Sequence, residues 1–161
     1  MTMQHEDHRE IITKAVCGSG TKLIQSVDEV IPKQQPSSIL GCWIINHEYR
    51  AQKQAVDLVQ VEGSYDINVW YSYQENSKTE VVTEQIKYSD NIPLTRVDEN
   101  SLQDSNEVIA KVIKQPNCLQ CSIEDGQGIQ VEIEREFVVE VIGETKVNVR
   151  VTPMPSNTST S

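Results

Sequence analysis

The stretch Val59 to Tyr73, VQVEGSYDINVWYSY, alternates with a period of two. Val59, Val61, Tyr65, Ile67, Val69, Tyr71 and Tyr73 fall on one face of an extended chain. Gln60, Glu62, Ser64, Asp66, Asn68, Trp70 and Ser72 fall on the other. One apolar and one polar face is the pattern of an antiparallel strand buried on one side only. Gly63 interrupts the run and predicts a bulge or a bend. Trp70 stands out of phase, an aromatic among polar neighbours. Such a residue is either covered by another part of its own domain or kept as a contact surface.

Working outward, the same alternation recurs from Ile129 to Phe137. Ile129, Val131, Ile133 and Phe137 point one way, and Gln130, Glu132, Glu134 and Glu136 the other. The apolar phase runs on through Val139 and Val141, and resumes at Val147, Val149 and Val151. Gly143-Glu144 between them predicts a hairpin turn. Further strands are expected at Leu40–His47, Glu80–Tyr88, Glu107–Lys114 and Cys118–Ile123. The breakers between strands are Gln74-Glu75-Asn76-Ser77, Asn91 to Pro93, Gln115-Pro116-Asn117 and Asp125-Gly126-Gln127-Gly128. Glu6–Val16 fits helix or strand, and its continuation to Ile24 favours strand. Arg96–Asn106 is polar and predicts a loop. In the Leu40–His47 run, Ile39, Trp43 and Ile45 alternate with Leu40, Cys42 and Ile44. Both faces are apolar, which suits a central strand or an interface.

Composition agrees with many strands. The chain holds 19 Val, 16 Ile and 10 Thr against 6 Leu and 4 Ala. β-Branched side chains lose rotamer freedom in helices and pack well on a pleated surface. The expected fold is mainly β, an antiparallel β-sandwich or barrel-like single domain with a short flexible C-terminal tail. At 161 residues, one core suffices. Residues 1–8 form a polar N-terminal segment, 9–152 the β-rich domain and 153–161 a disordered tail. Fourteen Lys plus Arg against 24 Asp plus Glu leave a net charge of -10. That disfavours nucleic acid and anionic membranes as partners. No apolar run is long enough to insert in a membrane. The N-terminus has no signal-peptide pattern, so synthesis is expected in the cytoplasm.

The candidate chemistry is sparse. Cys118-Leu119-Gln120-Cys121 is a C-x-x-C, but on a regular strand residues three apart face opposite sides. One metal ion would then not take both, and a zinc site would need two further ligands. Cys17, Cys42 and His47 show no ligand spacing. His5 and His8 belong to the polar N-terminus. Glu132, Glu134 and Glu136 share a strand face, and a solvated face balanced by basic residues on the next strand explains them. Gly18-Ser19-Gly20 predicts a turn, not a phosphate cradle. No catalytic, cofactor-binding or metal motif is present, and no enzyme is expected.

Six segments carry a resemblance. They are Arg9–Val16 (REIITKAV), Pro36–Tyr49 (PSSILGCWIINHEY), Val61–Tyr73 (VEGSYDINVWYSY), Lys78–Leu94 (KTEVVTEQIKYSDNIPL), Glu107–Cys118 (EVIAKVIKQPNC) and Glu134–Val151 (EREFVVEVIGETKVNVRV). In order and spacing they resemble the outer spore-coat morphogenetic CotE family of endospore-forming bacteria. The resemblance implies a non-enzymatic scaffold, made in the mother-cell cytoplasm, that encases the forespore, ends in the outer coat and associates with itself. It also implies recruitment by an inner morphogenetic layer and, in turn, of outer coat proteins. Members of the family carry a strongly acidic tail; here SNTSTS follows Pro155. Clients are therefore expected on the β domain, or the role is narrower. For such a scaffold, Trp70 and Trp43 are the candidate protein-interaction surface. Cys17, Cys42, Cys118 and Cys121 are candidates for inter-chain cross-links in a mature, oxidised coat. The alternative is a β-sandwich module that binds a ligand such as a carbohydrate.

Overall fold

The computed structural model describes residues 7–98 and 101–152, with side chains for 8–98 and 107–152. The expected tail 153–161 and most of the polar segment 1–8 lie outside the described residues. Seven strands follow in order: β1 (Asp7–Val30), β2 (Pro36–Ala55), β3 (Leu58–Tyr73), β4 (Lys78–Pro93), β5 (Arg96–Val97), β6 (Ser101–Ile123) and β7 (Ile129–Val151). They build two antiparallel sheets, ordered β5-β1-β7-β6 and β2-β3-β4. The architecture is the expected β-sandwich rather than a closed barrel.

β3 and β7 are the centres of the two sheets, and their apolar phases face each other. Val59, Val61, Tyr65, Ile67, Val69 and Tyr71 on β3 are buried, as are Ile129, Val131, Ile133, Phe137, Val139 and Val141 on β7. The sheets also meet along two seams, where edge strand β2 packs against β6 and β1 against β4. Along the second seam Lys22 Nζ donates to the Asn91 carbonyl at 2.9 Å.

The strands are longer than their sequence punctuation predicts, and pairing explains why. Gly143 and Glu144 do not turn; they pair with Ala15 and Lys14 of β1 inside one unbroken strand. β1 is extended from Asp7 onward, so the helical option for its first half is overturned. Gln115-Pro116-Asn117 does not split β6. The ladder to β7 shifts register between Lys114 and Asn117. A proline fits at such an irregularity on an edge strand, where its missing N–H breaks no second ladder.

Arg96–Asn106 is not one loop. Val97 and Arg96 pair with Gly18 and Ser19 on the edge of β1, and Ser101 and Leu102 pair with Thr145 and Glu144. Gly18-Ser19-Gly20 is correspondingly not a turn. It is a stretch of β1 crossed by the Pro93–Val97 strap. A Cβ on Gly20 would collide with the Pro93 carbonyl oxygen. Thr95 N–H donates to the Ser19 carbonyl at 2.9 Å, and Asp98 N–H to that of Cys17 at 2.6 Å.

Candidate functional site

Two local features give β2 its shape. The β2–β3 ladder shifts register between Ile39 and Gly41 and again between Ile45 and Glu48. The first shift leaves Leu40 as the extra residue. Ile39, Cys42 and Ile44 then pack inward on the core. Trp43 and Ile45 stand opposite Asn68 and Asp66, on the outward phase of β3. The doubly apolar run thus belongs to an edge strand, not a central one.

Trp70 lies opposite Gly41 on one side and Val81 on the other. A Cβ on Gly41 would sit 3.8 Å from both the Trp43 and the Trp70 rings. The two tryptophans therefore flank this glycine on the outer face of the β2-β3-β4 sheet. Trp43 is 43% exposed and Trp70 42%, with Ile45 and Val81 exposed beside them. Beneath Trp43, the Asn68 side chain is buried. Its Oδ1 accepts a hydrogen bond from Thr83 Oγ1 at 2.5 Å, while its Nδ2 has no partner. A buried, unpaired amide is costly.

The second register shift has another effect. Asn46 adopts φ 57°, a left-handed conformation that asparagine tolerates. His47 then turns into the space between the sheets, its ring 5.8 Å from Tyr88 and 6.0 Å from Phe137. Its Nδ1 meets Gln115 Oε1 at 2.9 Å, and its Nε2 meets the Tyr88 hydroxyl at 2.6 Å. An amide oxygen only accepts, so Nδ1 carries the proton and Tyr88 donates to Nε2. Burial holds the His47 pKa below its ordinary value; the Gln115 hydrogen bond opposes this and the Arg135 charge adds to it.

Tyr88 in turn lies under Arg135, whose guanidinium carbon is 4.1 Å from the ring centroid. Arg135 is 3% exposed and occupies the inward phase of β7 between Ile133 and Phe137. It donates to both carboxylate oxygens of the buried Asp90, at 2.8 and 2.7 Å. Burial works against the cation, but the hydrogen bonds and charge of Asp90 outweigh it and raise the Arg135 pKa. Nearby, the Tyr65 hydroxyl donates to Asp28 Oδ2 at 2.8 Å. Burial and that carboxylate push the Tyr65 pKa up. This polar belt separates two apolar clusters, one around Ile67 and Ile133, the other around Val61 and Val139. Its buried ion pair, Arg135–Asp90, links β7 of one sheet to β4 of the other. The sequence signalled it only through Arg135, the one charged residue in the apolar phase of β7.

An open groove of about 620 Å³ runs over Tyr49, Gly63, Lys87 and Tyr88, with Glu48, Arg50 and Glu62 on its rim. Arg50 and Glu62 pair at 3.0 Å. Of the strand-face acids of β7, Glu134 has a basic partner on the next strand, Lys114 of β6 at 3.3 Å. Among the described residues no group of three or more His, Cys, Asp or Glu is arranged to hold a metal.

The cysteines divide three to one. Cys17 is buried on β1, its thiol 3.5 Å from the Ala15 carbonyl. Cys118 and Cys121 do not face opposite sides of β6. The β6–β7 ladder shifts register between Cys118 and Gln120, which makes Leu119 the extra residue of a bulge. Both thiols then point inward, opposite Ile133 and Val131. They join Cys42 against the same core cluster. The bulge was not legible from a regular period of two.

A family model described as outer spore coat protein E (CotE) matches residues 7–161. The chain belongs to the CotE family. The match spans both sheets, including the Trp43–Trp70 face and all four cysteines. No curated protein and no solved structure shows significant similarity to the chain. CotE-family membership makes this an outer spore-coat protein.

Proposed function

We propose that this CotE-family chain is a non-enzymatic scaffold that associates with itself around the forespore and recruits outer coat proteins. In this reading it is made in the mother-cell cytoplasm and held there by an inner morphogenetic layer. The observation that carries the proposal is the outward pair Trp43 and Trp70 about Gly41, with Ile45 and Val81 beside them. Tryptophan is enriched among the residues that dominate protein interfaces.

Strand edges supply the second element. β2 and β4 bound one sheet and β6 the other, while β5 covers β1 only near Gly18 and Ser19. Exposed edges pair with further strands. A flat face and an edge on one molecule are different patches, so contact between them need not close on itself. Heterologous contacts of that kind extend into layers or filaments.

The test is made in spores. A strain whose only copy carries Trp43→Ala and Trp70→Ala is examined by thin-section electron microscopy, with the protein's level checked by immunoblot. Loss or patchiness of the outer coat at normal protein level is expected. An intact outer coat would contradict the proposal.

A further inference from the structure

Three thiols from two sheets meet at the β2–β6 seam. Cys42 comes from β2, opposite Val69, and Cys118 and Cys121 come from β6, opposite Ile133 and Val131. All three are half-buried and reduced, and all pack on the cluster around Ile67 and Ile133. The Cys42 thiol is close enough to both of the others to interact with them electrostatically.

The two β6 thiols are poorly placed to join each other. They stand opposite residues two apart on β7, about 7 Å along a strand. A disulfide requires a Cβ–Cβ separation of roughly 3.5–4.5 Å. Their shared neighbour is Cys42, across the seam. Cys17 sits on β1 and takes no part in the cluster.

We propose that Cys42 and Cys121 form an oxidation site, at which hydrogen peroxide closes an intramolecular disulfide that ties the two sheets together across their open seam. Cys118 is the third thiol, able to exchange with that bond. The chemistry balances in two steps. The Cys121 thiolate attacks peroxide, the O–O bond breaks, and a sulfenic acid and hydroxide form. Cys42 then attacks that sulfur, water leaves, and the S–S bond forms. Overall two thiols and one peroxide give one disulfide and two waters.

The local electrostatics assign the order. The hydrogen bond from Cys42 lowers the Cys121 pKa, although burial opposes it. The contact with Cys121 and burial raise that of Cys42. That balance favours Cys121 as the thiol that meets peroxide first, since the thiolate is the reactive form. In the folded chain the cross-linking capacity of these three thiols is directed inward, toward a stiffer subunit, in place of a bond between neighbouring chains.

The whole chain is treated with equimolar hydrogen peroxide at neutral pH and analysed without reductant. The expected product is a monomer lighter by about 2 Da, with one peptide pair joining Cys42 to Cys121. Its Tm should rise by something on the order of 5–15 °C, given a cross-link that closes a long loop. Cys17→Ser should leave this unchanged. Cys42→Ser should abolish it, with circular dichroism confirming the fold. Cys121→Ser should redirect the bond to Cys42–Cys118. Disulfide-linked dimers as the main product would overturn the proposal. So would recovery of all four thiols, by alkylation in denaturant, after oxidation of a chain that is folded throughout.

Discussion

Arg135 sits where the alternation of β7 calls for a hydrophobe, and its cost is met by Asp90, Tyr88 and Ser26. Removing one member of a buried ion pair leaves the other charge without a partner. Arg135→Ala should therefore destabilise the domain by about 3–5 kcal/mol. The paired change Arg135→Met with Asp90→Leu should cost far less, because no charge is then stranded. Thermal melts of the three proteins decide this, and equal losses would show that the pair does no more than fill space. His47 makes a pH prediction. Its folded pKa is depressed, so below about 6.5 the unfolded chain takes up the proton first. Stability should fall as the pH drops through that value and toward the lower folded pKa. His47→Gln should flatten that part of the profile, and an unchanged slope would contradict the assignment. Arg135 could be seen in the sequence as a residue out of phase. Its partners could not, because Asp90, Tyr88 and Ser26 come from two other strands and converge only through the register of the sandwich.

At the scale of elements, the alternation of β3 and β7 located both strands and most of the core, because period-2 burial is a local property, while their central places in the sheets were not legible. The edges were less legible. Pro116, Gly143 and Gly18-Ser19-Gly20 all look like punctuation, yet each lies inside a strand whose partner holds it extended. The role of Gly63 is a close approach rather than a bend. A Cβ there would strike the Tyr88 hydroxyl and lie 2.6 Å from the Glu48 carbonyl oxygen. Gly63→Ala should cost about 1–3 kcal/mol through overpacking. Chemical denaturation would measure it, and a neutral change would mean that β2 and Tyr88 shift freely. Gly20 serves the Pro93–Val97 strap in the same way. Gly20→Ala should lift the strap and speed hydrogen exchange at the amides of Thr95 and Asp98, which donate to the Ser19 and Cys17 carbonyls. Amides of β3 should stay protected. Unaltered exchange at Thr95 and Asp98 would show that the strap does not depend on the missing side chain.

The whole molecule is a sandwich whose inner faces are filled and whose outer face carries two tryptophans about a glycine. Trp70 was legible as an aromatic on the polar phase. Its pairing with Trp43 was not, since it depends on the register shift at Leu40. Asn68 extends the same logic. Asn68→Val removes a buried, unpaired amide and leaves the exposed Thr83 hydroxyl to water. It should stabilise the domain by about 1 kcal/mol. A thermal melt measures this, and a loss of stability would show that the amide contributes more than it costs. The most direct measurement is size-exclusion chromatography with light scattering on the whole chain, in reductant, over a range of concentrations. Gly41→Lys is the comparison, because a side chain fits there without collision and places a charge between the tryptophans. The prediction is assemblies that grow with concentration for the natural sequence, and association weakened at least about tenfold in the folded variant. An 18.2 kDa monomer at every concentration, or assemblies unaffected by Gly41→Lys, would contradict self-association through this face.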